Sequence, residues 1–479
     1  QRLAGVWDAA RGVALQRAFL DSGQPAAPSL HAAVSRMLES YAAAWADAHR
    51  EACKATRVRG EQSETALDLR MHCLERRKRE LGATVDLLLA ANKDAVVSAP
   101  QAVRDLEPVA DCADVEALAR PMPLPSQGQQ AARVKAAYER LADAKARDNA
   151  GQWKEAAGLA ATVATEAEAV GYKPLLGEAL LTEGQALIHL RQEKDAALRL
   201  RRAALASQAG RDDAHAAESY INLVFVEGEF AERPEQAELW RELAQSLLER
   251  IGGDARLEGE LTFRQGMVLS RQGRPEEALP LLHRSLSMRE RAFGKDHASL
   301  VDVLRTLGAA QRSAGQLEQA LASQRRALAL AQHHFGKDHP TVAATYNNLA
   351  NTLAGLRRFD EALAAQTESM ATYERVYGPG QPVPYLLGLY GNMGAVHFLR
   401  GDFAQARRTL EKGWALALEH RPPGHPDRAS LGGPLALALM NLGQMDEALR
   451  MLASMRKELD AAEMEGRSSV RNGELMEQE

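Results

Sequence analysis

Small residues recur in the second half of this chain at a nearly constant spacing. Five alanines follow one another in steps of 42, 42, 44 and 42 residues: Ala278, Ala320, Ala362, Ala406 and Ala448. Twelve residues before each of them lies another small residue: Gly266, Gly308, Ala350, Gly394 and Ala436. Apolar residues around both positions recur every three to four residues, which predicts two amphipathic helices per unit. Small residues at both places allow the two backbones to approach closely, and the fixed period predicts stacked units, none able to bury its apolar face alone.

The same spacing extends toward the N-terminus. Ala144 with Ala156 and Gly184 with Ala196 are again twelve residues apart. A degenerate unit follows, around Tyr220–Leu223 and Ala237–Leu247. The predicted fold class is therefore all-α: an N-terminal helical domain followed by a right-handed α-solenoid of about eight units.

The domain boundaries are predicted from where the pattern begins and ends. Residues 1–120 form a helical domain without the repeat, 121–130 a proline-rich linker, 131–460 the repeats and 461–479 a polar tail. The chain opens mid-pattern without a methionine, so we expect it to be a piece of a longer protein.

The composition excludes some functions. Hydrophobic residues make up 46% and aromatic residues 5%, and the net charge is −5, which argues against nucleic acid as the main partner. No apolar run reaches the length of a membrane span, so a membrane would be met only through a span outside this sequence.

The repeats resemble tetratricopeptide repeats. The residues that carry the likeness are exemplified by Tyr346–Ala350 in a first helix and Gly401–Ala406 at a turn and second helix. The 42-residue period, with Gly336–Pro340 between units, resembles the kinesin-light-chain subtype. Two departures are Arg191 and Arg357, which stand where the turn glycine is expected.

The N-terminal segment has a resemblance of its own, carried by short runs of residues: Trp7–Arg11, Tyr41–Trp45, Arg50–Thr56, Gly60–Ser63, Leu67–Leu74 and Asp111–Asp114. These runs resemble a helical region of large bacterial serine/threonine protein kinases of the myxobacterial type. In that family a kinase domain and a membrane span precede this region, and tetratricopeptide repeats follow it. The resemblance implies an extracytoplasmic, periplasmic sensor or scaffold that binds a protein or peptide. The alternative is a cytoplasmic adaptor that recruits substrates or assembles complexes.

Catalysis by this segment is not expected. A protein kinase needs a glycine-rich loop, a strand lysine, H-R-D and D-F-G, and the sequence contains none of them. No cofactor is predicted. The recurring Lys295–His297 and Lys337–His339 would suit a metal in principle, but we interpret these histidines as the beginnings of helices and predict no metal site. The basic run Arg76–Arg79 could meet phosphates or lipid headgroups, although the flanking Glu75 and Glu80 favour a solvated helix face.

Polar residues of the first helices form the predicted binding site. First helices of stacked repeats line the inner surface, and asparagine amides can hold an extended peptide backbone. The alternative is that these side chains bridge neighbouring repeats or face water. The predicted peptide-binding residues are Asn222, Arg264, Arg305, Thr306, Asn347, Asn348, Asn351 and Asn392.

The cysteines suggest a hairpin. Cys53 and Cys73 lie ten residues on either side of Ser63, so a chain reversal at Gly60–Ser63 would set them at the same height on antiparallel helices. The periplasmic location implied by the resemblance would permit a Cys53–Cys73 disulfide, which leaves Cys112 over. The alternative is three reduced cysteines in helix cores. Neither the ligand nor the oligomeric state can be read from the sequence.

Overall fold

A computed structural model describes residues 2–125, 128–230, 233–381 and 383–464. Among these residues there are helices and no strands, so the predicted all-α class is confirmed. The helices are, in chain order, α1 (Ala9–Asp21), α2 (Ala27–Arg57), α3 (Glu64–Leu89), α4 (Lys93–Arg104), α5 (Val115–Ala119), α6 (Gly128–Asn149), α7 (Trp153–Val170), α8 (Lys173–His189), α9 (Glu193–Ala209), α10 (Asp213–Phe225), α11 (Pro234–Arg250), α12 (Ala255–Arg271), α13 (Pro275–Phe293), α14 (Leu300–Ser313), α15 (Leu317–Phe335), α16 (Pro340–Gly355), α17 (Phe359–Tyr377), α18 (Val383–Arg400), α19 (Phe403–His420), α20 (Pro426–Asn441) and α21 (Met445–Met464). A 3-10 segment, Val109–Ala113, precedes α5, and a π-helical segment, Val226–Phe230, follows α10.

From α6 onward the helices alternate as first and second members of eight consecutive pairs. The alanines that define the period are fully buried in the second helices. At three of the paired glycines the opposing leucine leaves no room for a side chain: a Cβ on Gly184, Gly266 or Gly394 would lie 2.4–2.8 Å from Cγ of the leucine opposite. The small residue of the first helix thus lets the second helix pack closely against it, at a leucine four residues after the alanine that defines the period.

In the described part of the chain, the turn inside seven of the eight pairs has one residue in the left-handed region. Gly401 has a φ of 85° there, and Arg357 and Arg191 take the same region with φ of 61° and 57°. The two arginines that depart from the repeat pattern therefore keep its backbone geometry, at a cost that glycine avoids.

Histidines begin several helices, as predicted. His339 is the N-cap of α16 and accepts a hydrogen bond on Nδ1 from the Thr341 backbone N–H at 3.1 Å. His425 caps α20 in the same way through the N–H of Asp427, also at 3.1 Å. His297 Nδ1 accepts from the Ser299 N–H at 3.2 Å just before α14. These contacts give the imidazoles a structural role.

The described part of the chain divides into two compact units. Unit 1 comprises the described residues of 1–310 and 332–336, and unit 2 comprises those of 311–331 and 337–464. Unit 1 contains both the N-terminal helices and the early repeats. The segment expected to be a linker is tied into it, because the Met122 N–H donates to Gly210 O at 2.7 Å and its carbonyl accepts from the Tyr172 hydroxyl at 2.9 Å. Residues 126–127 of that segment, and 465–479 of the predicted tail, lie outside the described residues.

The N-terminal hairpin forms as predicted, but the predicted disulfide is wrong. Ser63 caps α3 by accepting from the Ala66 N–H at 3.1 Å. Cys73 is bonded to Cys112 of the 3-10 segment, with a Cα–Cα distance of 5.5 Å, and Cys53 is free.

The position of the chain reversal explains the error. Trp45 Nε1 donates to Leu74 O at 2.7 Å, so the reversal is centred near Gly60. When the centre of the reversal moves by a few residues, the residue facing any given position changes by twice as many. At 1.5 Å per residue this is a displacement of roughly 10 Å. Trp45 therefore lies level with Cys73, and Cys53 lies further along α2, closer to the reversal.

Within the described residues, none of the helices combines the length and apolarity of a membrane span.

Candidate functional site

Four positions of each first helix form one stripe. Counted from the small residue of that helix, they are −6, −3, −2 and +1, which fall on a single face at helical spacing. We call this the first-helix stripe. It contains all the predicted binding residues except Asn222, which belongs to the degenerate unit. The stripe of α16 is Ala344, Asn347, Asn348 and Asn351; that of α18 is Gly388, Gly391, Asn392 and Ala395; that of α20 is Ser430, Gly433, Pro434 and Leu437.

In unit 2 the stripe brings two of the predicted residues together. Asn392 Nδ2 donates to Asn347 Oδ1 at 3.0 Å, which joins α16 to α18. Asn348 and Asn351 lie half-buried beside this pair on α16. The Asn347–Asn392 contact fits the bridging alternative, and it also fixes two amides that keep further donor and acceptor capacity.

The rest of the unit 2 stripe is small or exposed. Gly388 and Ala395 are exposed, and Leu437 is 51% exposed. A Cβ on Gly388 or Gly433 would meet nothing within 4 Å, so packing among the described residues does not require glycine there. A helical glycine costs about 1 kcal/mol relative to alanine. Open space above these two positions allows another backbone to approach closely.

In unit 1 the predicted residues make contacts within the chain. Asn222 is buried, and its Nδ2 donates to the Glu218 carbonyl at 3.0 Å. Arg264 pairs with Glu260 at 2.7 Å and lies over the Phe225 ring. Arg305 pairs with Asp302 at 3.3 Å, and Thr306 is half-buried on α14.

The N-terminal helices lie on the first-helix stripe of unit 1. Arg76 of α3 forms an ion pair with Glu178 of α8 at 2.5 Å and lies over the Tyr138 ring of α6, 4.8 Å from its centroid. Arg104 of α4 pairs with Asp302 of α14 at 3.3 Å. A cavity of about 10 Å³ remains between α3 and the stripe, bounded in part by Arg76, Arg79 and the α6 stripe. The N-terminal region thus covers repeats of its own chain.

Lys145 is the centre of a buried charge cluster. Its ammonium pairs with Glu178 at 2.7 Å, with Glu80 at 3.5 Å and with Glu107. Arg77 also reaches Glu107, at 2.6 Å, and Glu80, at 3.2 Å. The expectation of a solvated face for Arg76–Arg79 is therefore wrong for Arg76 and Arg77, whose partners include residues far away in the sequence. Removing one member of such a cluster leaves an uncompensated buried charge.

Burial and ion pairing set the titration of the cluster. Burial alone would raise the pKa of Glu178, but Arg76, Lys145 and His215 outweigh it and hold that pKa at about 2. Burial would lower the pKa of His215, whereas Asp212, bonded to it at 2.8 Å, raises it to about 9. Glu178 and His215 are therefore both charged across the neutral range.

The cluster also contains three possible metal donors. Ligand atoms of Glu107, Glu178 and His215 lie within 4.8 Å of one another. The Lys145 ammonium already contacts both carboxylates, so these acids have a cation in the protein itself. The donor set is better explained as part of the ion-pair cluster.

Sequence reasoning missed this surface, although a signal was present. Position −6 of the stripe is aromatic or acidic in four early repeats and small in the last three. The residues are Tyr138, Glu178, Glu260 and Asp302, then Ala344, Gly388 and Ser430. The change in residue type at position −6 distinguishes the covered stripe of unit 1 from the stripe of small residues in unit 2.

Comparison with known families agrees with this geometry. The model of the tetratricopeptide repeat family matches residues 257–333, 314–375 and 341–419. These segments are tetratricopeptide repeats. Of the four helix pairs that flank them, all but the degenerate pair α10–α11 have the same spacing of small residues, which agrees with the predicted solenoid of about eight units.

Two solved structures with TM-scores above 0.5 have a similar fold. The apo form of the quorum sensor NprR from B. thuringiensis is 14% identical over 70% of this chain and 89% of its own, with a TM-score of 0.52. The apo form of RapI is 14% identical over 69% and 88%, with a TM-score of 0.51. Tetratricopeptide-like repeats of a kinesin light chain from Podosopora anserina are 20% identical over 44% and 97%, with a TM-score of 0.38. No curated protein matches the chain.

Proposed function

We propose that this chain is a non-catalytic region that binds a protein or peptide on the first-helix stripe of unit 2. The observation that carries the proposal is the open stripe itself. It combines fixed amides at Asn347 and Asn392 with glycines whose Cβ positions face empty space. Amides supply donors and acceptors for a peptide backbone, and glycines let that backbone come close.

The glycines give a test with two readouts. Gly388→Ala adds one methyl group on the stripe and should leave folding intact, while it obstructs a partner. The probe is a random peptide library displayed against the whole chain, followed by fluorescence anisotropy with the selected peptides. We expect Gly388→Ala, and Asn348→Ala with Asn392→Ala, to weaken the selected peptides at least tenfold at unchanged helical content.

Thr367→Ala is the control, because Thr367 is an exposed polar residue of the second helix α17 that donates to its own helix, to Leu363 O at 2.8 Å. Unchanged affinity in Gly388→Ala and in the double variant would refute the proposal for this surface.

We further propose that the chain is the sensor or scaffold part of a membrane-bound bacterial serine/threonine protein kinase, on the periplasmic side. The support is the N-terminal resemblance, several of whose residues pack in one apolar core with Trp45, Leu74 and the bonded cysteines. A disulfide is favoured in an oxidising compartment, which supports the location. The alternative remains a cytoplasmic adaptor.

The coding sequence upstream of Gln1 distinguishes these two proposals. A kinase domain followed by about 20 apolar residues is expected for the membrane-bound kinase. A start codon close to Gln1, with neither feature, would favour the adaptor.

A further inference from the structure

Two arginines of the N-terminal helices are held in the same kind of pocket. Arg76 contacts a carboxylate, Glu178, and an aromatic ring, Tyr138. Arg104 contacts Asp302 and lies 5.6 Å from the centroid of the Phe335 ring. In each case the guanidinium lies over an aromatic ring while its N–H groups meet an acid. Arginine suits this geometry and lysine does not, because lysine lacks the planar group that stacks on a ring.

Both pockets belong to the repeats, and both arginines come from distant parts of the chain. The ion pairs join residues 102 and 198 positions apart in the sequence. Glu178 and Asp302 occupy the same position, −6, of their first helices. The Glu178 side chain is 3% exposed, and Arg76 supplies its carboxylate with a second cation beside Lys145 of α6.

The N-terminal helices therefore occupy the unit 1 stripe as a peptide ligand would. We propose that Tyr138–Glu178 and Phe335–Asp302 are arginine-binding pockets whose intramolecular ligand is the N-terminal helical region, and that an arginine-bearing segment of another protein binds there when α3 and α4 are displaced. This surface is separate from the unit 2 stripe. Variants of Asn348 and Asn392 should leave its binding unchanged, so the two proposals fail independently.

The test empties both pockets in the whole chain. The variant Arg76→Ala with Arg104→Ala is titrated with fluorescein-labelled hexa-arginine and with hexalysine, and anisotropy is measured. We expect hexa-arginine to bind this variant at least tenfold more tightly than the unaltered chain, and hexalysine to gain much less. Adding Glu178→Gln and Asp302→Asn should abolish the gain.

A matched variant controls for net charge. Arg17→Ala with Arg50→Ala removes two arginines whose side chains are 84% and 65% exposed, and so changes the net charge equally. An equal gain in that variant, an equal gain for hexalysine, or no gain in the pocket variant would overturn the proposal.

A second pair of substitutions tests the proposal if the double alanine variant does not fold. If circular dichroism shows that the alanine variant is unfolded, Arg76→Lys with Arg104→Lys keeps both charges and loses the stacking. That variant should still bind hexa-arginine more tightly than the unaltered chain, and affinity equal to the unaltered chain would refute the proposal.

Discussion

Gly388 and Gly394 lie on the same helix, yet a methyl group would have opposite effects at the two positions. At Gly388 the added carbon meets nothing within 4 Å, while at Gly394 it would lie 2.4 Å from Leu410 Cγ. Gly388 lowers the stability of the helix although no packing contact requires a glycine there. Gly394 is required by the contact between the two helices.

We therefore predict that Gly388→Ala raises the free energy of unfolding of unit 2 by up to about 1 kcal/mol. Gly394→Ala should lower it by roughly 1–3 kcal/mol through overpacking. Urea denaturation followed by circular dichroism measures both. A loss of stability in Gly388→Ala would mean that this glycine has a packing role, which would remove it from the proposed binding surface.

Asp148 gives unit 1 a dependence on pH. Burial, and then the nearby Asp105, raise the pKa of Asp148 from 3.8 to about 7. The folded state then holds this proton more tightly than the unfolded state, so stability falls as pH rises from about 4 to 7.

Asp148→Asn should remove this loss and raise the free energy of unfolding at pH 8 by at least about 1 kcal/mol. At pH 4 the substitution should have little effect, because Asp148 is protonated there in the folded state. Thermal melts at the two pH values measure the difference. The exposed Asp21→Asn is the control, and an equal response in both variants would exclude Asp148 as the source.

At the scale of elements, the disulfide attaches the 3-10 segment to α3. Glu107, shortly before that segment, reaches Arg77 and Lys145, so the bond also holds part of the charge cluster in place. Its cysteines are 39 residues apart.

Peptide mapping without reductant, on protein from an oxidising compartment, should give a Cys73–Cys112 crosslinked peptide and alkylation of Cys53 alone. Replacing both bonded cysteines by alanine should lower the free energy of unfolding by about 2–4 kcal/mol, as expected for a loop of this size. Cys53→Ala is the control. A crosslinked peptide that contains Cys53 would contradict the structure.

The sequence predicted a structural feature correctly when the residues that determine it lie close together in the chain. The Ala/Gly spacing and the histidines that begin helices arise within one helix pair or one turn, and they were predicted correctly. The disulfide failed because a small error in the centre of a reversal moves every facing position. Arg76 was placed in solvent because its neighbours Glu75 and Glu80 are visible in sequence, whereas Glu178 lies 102 residues away. The binding residues stay a prediction, since no ligand defines them.

At the scale of the molecule, two equivalent leucines allow the two units to be compared. Leu200 in unit 1 and Leu410 in unit 2 are both fully buried against the small residue of their repeat. Neighbouring repeats stabilise one another, and contacts do not extend along the whole array.

Leu200→Ala and Leu410→Ala should each cost about 2–5 kcal/mol. Hydrogen exchange followed by mass spectrometry should show faster exchange across residues 1–310 in the first variant and across 337–464 in the second. Faster exchange over the entire chain in either variant would show that the chain unfolds as a single cooperative body.

The histidines that begin helices have a consequence for acid conditions. Each of His297, His339 and His425 accepts a backbone N–H on Nδ1, and a protonated imidazole has no lone pair to offer there. Protonation of these imidazoles would therefore fray the beginnings of the three helices, by one chemical event repeated along the chain. Asparagine caps a helix without titrating, so His339→Asn should make the start of α16 indifferent to acid. Because the histidine caps recur with the repeats, the same response to protonation recurs along the chain.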